Sequence, residues 1–142
     1  MKERGALKRI EYLARIAGLF RFKTVTDDGG NEFVLYADSP IKRVERIRDR
    51  TAFEAVENHV HLIDNVKKEE FDELIPMAKA LGQALLNVLK CQYPHKSFIV
   101  FVSLCLHDSM IIRFHQKWDN ELPYYDPSAF VSAKELVFSF EE

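Results

Sequence analysis

The chain is poor in the features that mark specialised protein classes. It has two cysteines, Cys91 and Cys105, among its 142 residues. Two are too few for the disulfide framework of a small secreted domain, so both read as free thiols in a reducing, cytoplasmic setting. Cys105 lies inside an apolar run and reads as a buried small hydrophobe. No apolar stretch approaches the ~20 residues that a membrane-spanning helix needs. Residues 98–106 form the most apolar run, and the charged segment 1–9 is not followed by the unbroken apolar core of a secretory signal. A membrane is therefore not an expected partner. Glycine and proline number five each, and they punctuate turns without forming a linker, a repeat or a low-complexity tract. Excess charge of one sign is also missing. The formal net charge is -2, which gives no general case for a nucleic-acid partner.

What is present suffices for a core. Apolar residues make up 47% of the chain and aromatics 12%, so burial can offset chain entropy and no metal or cofactor is needed for folding. The length suits one domain over residues 1–142. Charge is uneven: residues 1–50 hold 12 Lys/Arg against 8 Asp/Glu, and the remainder is net acidic.

Periodicity orders the elements. Leu7, Ile10, Leu13, Ala14, Ala17 and Phe20 share one face of a first helix. Such a face can pack on a core or lie on a membrane surface, and core packing is the expectation. Residues 20–26 and 32–37 flank Asp27-Asp28-Gly29-Gly30-Asn31, the turn chemistry of a β-hairpin. No Lys-Ser/Thr follows the glycines, which excludes a P-loop. Ser39-Pro40 has the form of an N-cap followed by proline and predicts a helix through Ala55, with a strand edge or loop as the alternative for residues 42–50. Residues 59–63 predict a short strand. A long helix follows over residues 67–91, with Pro76 predicting a kink or two helices meeting near Ile75. Residues 98–106 predict a central strand buried on both faces. His107-Asp108-Ser109 is a turn, residues 110–118 the return strand and residues 135–140 a last strand. On the return strand Ile112, Phe114 and Trp118 share one face, and Arg113, His115 and Lys117 the other. The order predicts an α+β domain with a mainly antiparallel sheet of four to six strands and helices packed on one face.

Catalytic signatures are scarce. His59 and His61 point the same way on a strand, and with Asp64 they could ligate zinc or iron, although no further ligand is nominated. The plainer reading is a solvated edge-strand pair. His95-Lys96-Ser97 is half of a two-histidine phosphoesterase pattern whose second copy is missing. Adjacent His107-Asp108-Ser109 cannot form a triad with one another. No cofactor fingerprint occurs.

The segment 113–126 is the richest in interface chemistry. Arg113, His115, Lys117 and Trp118 lead into a loop with Asp119, Glu121, Tyr124, Tyr125 and Asp126. Trp, Tyr and Arg are the types enriched in interface hot spots. The alternative is that Trp118 and one tyrosine close the core. The run Ile112-Arg113-Phe114-His115-Gln116 with Glu121-Leu122-Pro123-Tyr124-Tyr125-Asp126 resembles small bacterial immunity proteins of polymorphic-toxin and contact-dependent growth-inhibition systems, over about a tenth of the chain. That resemblance implies a non-catalytic cytoplasmic protein, monomeric or homodimeric, that binds and neutralises a cognate toxin domain. Inhibitors of basic nucleases are often strongly acidic and this chain is not, so the implied toxin need not be a nuclease. Two other classes stay open. One is a small metal-dependent hydrolase or nuclease using His59, His61 and Asp64. The other is a structural or regulatory subunit dimerising through a sheet edge.

Overall fold

A computed structural model describes residues 2–130 and 134–141, with side chains from residue 5 onward. The elements run α1 (Lys2–Gly18), β1 (Phe22–Thr26), β2 (Glu32–Tyr36), α2 (Arg50–Glu57), β3 (His59–Ile63), α3 (Lys68–Gln92), β4 (Phe98–Cys105), β5 (Met110–Gln116), a 3-10 turn (Pro127–Phe130) and β6 (Glu135–Glu141). β1 and β2 pair as an antiparallel hairpin. The other four strands form an antiparallel sheet in the order β3-β5-β4-β6. The expected α+β class and sheet size are thus observed.

β4 lies between β5 and β6 and is mostly buried, as its unbroken apolar run requires. Val100, Val102 and Leu104 join Ile112 and Phe114 on the face that packs against Leu74, Ala78, Leu85 and Leu89 of α3. The i, i+3/i+4 spacing of those α3 residues puts them on one stripe. Gly82 lies on that stripe because Phe140 of β6 occupies the space beside it: an added Cβ would stand 2.1 Å from Phe140 Cε2. α3 is one helix with Pro76 inside it, so of the two expectations, a kink or two helices meeting near Ile75, the second does not occur. The apolar residues on both sides of the proline bury against the same sheet, which holds the two turns together despite the missing N–H donor.

A second, smaller core lies under the hairpin. Val25, Phe33 and Leu35 pack with Ile41, Val44, Ile47, Phe53 and Trp118. Here the structure corrects the helix expected from Ser39-Pro40. Residues 40–48 carry no helix, and α2 begins at Arg50 with Asp49 as its N-cap, its carboxylate accepting from Ala52 N at 2.9 Å. The reason is competition for backbone groups. Lys23 Nζ donates to the carbonyls of Ser39 and Ile41 at 2.5 and 2.6 Å, and Asp27 accepts from Ile47 N at 2.9 Å. The hairpin's side chains satisfy this segment, which then lays its apolar residues over the second core. Asp27 also accepts from the backbone N–H groups of Gly29 and Asn31 and closes the hairpin turn, where Gly30 has φ +83°. The Ile47 donor first, then Asn31 and Gly29, hold its carboxyl down to about 2 against the effect of burial.

α1 departs from expectation. Its last turns dock through half-buried Tyr12, Arg15 and Ile16, with Leu19 buried just beyond. Arg15 donates to His61 O and to Asp64, both at 3.0 Å. The apolar stripe expected in the core faces outward: Leu7, Ile10 and Leu13 are 64%, 62% and 65% exposed. Cys91 is exposed and Cys105 half-buried, both as free thiols, so Cys105 is less enclosed than its apolar run predicts. Among the described residues no helix is long and apolar enough to cross a membrane.

Candidate partner-binding site

The site begins at a polar seam between the two sheets. β3 pairs with β5 only as far as Arg113, which leaves the Phe114–Gln116 edge of β5 facing β2. Glu54 of α2 and Asn58, the residue that caps the helix one turn later, fill the gap. Asn58 Oδ1 accepts from Tyr36 N at 3.1 Å, and its Nδ2 donates to Val34 O at 2.8 Å and to Phe114 O at 3.4 Å. Glu54 Oε2 accepts from Val34 N and Gln116 Nε2, and Oε1 from Gln116 N and Trp118 Nε1, all between 2.7 and 2.9 Å. The carboxylate is fully buried. Burial pushes Glu54 up to about 7, against the lowering effect of its four N–H donors.

Trp118 leaves β5 on the far side of this seam. It packs 5.3 Å from the Phe33 ring, and the Arg50 guanidinium lies 4.8 Å above it. Arg50 continues outward, with Nε to Glu121 Oε2 at 2.7 Å and Nη2 to Asp119 O at 2.9 Å. The second Glu121 oxygen accepts from Thr51 N at 2.7 Å, at the N-terminal end of α2 beside the Asp49 cap. Burial raises the Glu121 carboxyl, yet Arg50 and Thr51 outweigh it and leave Glu121 below its ordinary value.

The other end of the loop is tied to β5. Tyr124 N donates to His115 Nε2 at 3.1 Å, while His115 Nδ1 meets Gln116 O at 2.7 Å. That pair of contacts assigns the neutral Nδ1–H tautomer, in keeping with the lowering of His115 by burial. Arg113 lies 5.0 and 5.2 Å from the Tyr124 and Tyr125 rings and donates to Ala55 O at 3.2 Å, in the last turn of α2. Two rings and a helix C-terminus surround the guanidinium, whose buried Nε has no hydrogen-bond partner among the described residues. Tyr125 in turn stacks edge-on to Phe101 and Phe130.

The residues named from sequence therefore divide. His115 is buried, and Arg113 and Trp118 are half-buried supports. Lys117 is exposed and paired with Glu141 at 2.9 Å. Asp119 and Asp126 are exposed, and Glu121, Tyr124 and Tyr125 are half-buried in the loop. Between the loop's anchors stands Leu122, 85% exposed. It lines an open cleft of about 550 Å³ with Arg48, Asp49, Thr51 and Pro123. A second cleft of about 590 Å³, lined by Gly29, Asn31, Arg46, Arg48 and Arg50, adjoins it through Arg48. Sequence reasoning missed Leu122, Arg46 and Arg48. The charge run of residues 42–50 is the signal for the two arginines, and nothing local marks Leu122.

His59 and His61 do come together, with ring centroids 5.5 Å apart, both exposed. Asp64, the third residue of that constellation, is committed to Arg15. Among the described residues no group of three or more His, Cys, Asp or Glu is placed to hold a metal. His95-Lys96-Ser97 and His107-Asp108-Ser109 lie in or beside turns. Comparison of the chain with protein-family models, with curated proteins and with solved structures finds no match.

Proposed function

We propose that the chain is a non-catalytic protein-binding module and, as the immunity-protein resemblance implies, a cytoplasmic inhibitor of a cognate toxin domain. The observation that carries the reading is Leu122. A single exposed apolar side chain is ordinary on a protein surface; what sets Leu122 apart, at 85% exposure, is how firmly it is presented. Here it is held on a loop fixed at both ends, by Glu121 on Arg50 and Thr51 and by Tyr124 on His115. A preformed loop loses little entropy on binding. Arg46 and Arg48, both exposed, flank it in the adjoining clefts and would favour a partner surface that is acidic around an apolar pocket.

The test is a calorimetric titration of the folded chain with the C-terminal domain of the adjacent upstream gene's product. Leu122→Asp is expected to weaken binding about 30-fold or more, the size of a hot-spot loss. Arg48→Glu is expected mainly to slow association and to reduce its dependence on salt. Unchanged affinity in both variants, with unfolding transitions like the parent's, overturns the site. The hydrolase reading gains no support from Asp64, which Arg15 engages.

A further inference from the structure

Helix α1 docks by its polar side. Its contacts with the body run through Arg15, which bonds His61 O and Asp64, and through half-buried Tyr12 and Ile16. One hundred degrees per residue places Leu7, Ile10, Leu13, Ala14 and Ala17 on the opposite arc, and all five are exposed. Three of the six large apolar side chains exposed among the described residues belong to this stripe. The fold itself turns this stripe outward as one contiguous apolar face, not as scattered single residues.

Charge and area select among occupants. The α1 segment holds five Lys/Arg against two Asp/Glu, a net of +3, while the whole chain is -2. The helix is thus one of two basic stretches, the other being residues 41–50 with five Lys/Arg against two Asp/Glu, and the remainder of the chain is acidic. Lys8 and Arg9 are exposed, and no ion pair among the described residues engages them. A second copy would bring the same positive charge against it. At ~25 cal/mol per Å², the burial free energy of one large aliphatic side chain corresponds to about 60–120 Å², so the three large stripe residues offer only about 180–360 Å² of apolar surface. Doubled, that is short of the ~1,200 Å² of a standard interface. An anionic lipid surface meets both features, because a basic helix with an apolar face lies in the headgroup boundary and draws on burial and charge together.

We propose that α1 is an interfacial helix that seats the protein on anionic membranes through Leu7, Ile10 and Leu13, with Lys8 and Arg9 at the headgroups. This surface is separate from the Leu122 loop and stands independently of the toxin-inhibitor reading.

The experiment is flotation of the full chain with vesicles of equimolar phosphatidylglycerol and phosphatidylcholine, against vesicles of phosphatidylcholine alone. Binding to the anionic vesicles is expected, falling about tenfold in high salt as the charges are screened. Ile10→Asp combined with Leu13→Gln is expected to abolish it while leaving the circular dichroism and melting of the body unchanged. Lys8→Glu with Arg9→Glu is expected to remove the preference for anionic lipid and keep the stripe. Failure to float with anionic vesicles overturns the proposal, as does undiminished flotation of the Ile10/Leu13 variant. A dimer in light scattering that this variant converts to monomer also overturns it, by making the stripe a self-association face.

Discussion

The indole N–H of Trp118 donates to Glu54 Oε1 at 2.7 Å, and with this bond the exit of β5 is fixed to the helix that joins the two sheets. Three further N–H groups converge on the same buried carboxylate. Replacing Glu54 by alanine orphans all four donors and opens a cavity. The variant is expected to lose about 3–5 kcal/mol of stability at pH 5. Urea unfolding followed by the emission of Trp118, the only tryptophan in the sequence, measures it. A loss below about 1 kcal/mol, the worth of one ordinary hydrogen bond, would contradict the role of the seam.

The same group makes stability depend on pH in a stated direction. Burial raises Glu54 from 4.5 to about 7 in the folded protein. The folded state therefore keeps a proton that the unfolded chain has released, and stability from this group falls as pH rises from about 4.5 to about 7. His115 acts oppositely, since burial lowers its pKa below 6.5 and the unfolded chain takes up the proton first. Glu54→Gln cannot titrate and leaves His115 in place. The stability of wild type relative to this variant is expected to drop by about 3 kcal/mol between pH 5 and pH 8. A difference that is flat with pH would show that the four donors hold the carboxylate near its ordinary value.

Gly82→Ala reverses the usual helix rule. Alanine at an exposed helical position stabilises by about 1 kcal/mol over glycine. At Gly82 the new methyl falls within 2.1–2.8 Å of three Phe140 ring atoms. The variant is expected to be destabilised by about 1–3 kcal/mol through overpacking. Phe140→Leu should recover part of that loss in a double-mutant cycle of chemical denaturation. Purely additive effects would mean that the ring and the helix do not meet there.

Much of the frame was legible because the signals are local. The hairpin, β4 and α3 follow from turn residues, an apolar run and a 3.6-residue repeat, each confined to its own segment. For residues 42–50 the sequence left helix and loop both open, and the loop is what forms; the groups that decide it, Lys23 and Asp27, lie some 20 residues earlier and reach the segment only through the fold. Glu54 looks like a surface residue in sequence, since nothing nearby marks its carboxylate as the acceptor for β2 and β5. The stripe of α1 was legible as apolar, but periodicity does not say which surface covers a face. For the site, the aromatic and basic residues of 113–126 were found. Their division into buried supports and an exposed tip depends on where β5 ends, at Gln116.

Glu121→Ala cuts the loop from the start of α2. Stability is expected to fall by only about 1 kcal/mol, because the Arg50–Glu121 contact is partly exposed. Amide exchange in residues 119–123 should speed up at the same time, while β4 and β5 keep their protection. Unaltered exchange in the loop would mean that the Tyr124–His115 end alone fixes it.

The most direct test of the functional reading is growth rescue. The C-terminal domain of the adjacent upstream gene product is induced in cells carrying this chain, its Leu122→Asp variant, or neither. The proposed function predicts arrest without the chain, growth with it, and renewed arrest with a Leu122→Asp variant that accumulates to the same level. A harmless neighbour domain, or one that still arrests growth in the presence of the wild-type chain, would contradict the proposal that this protein neutralises it.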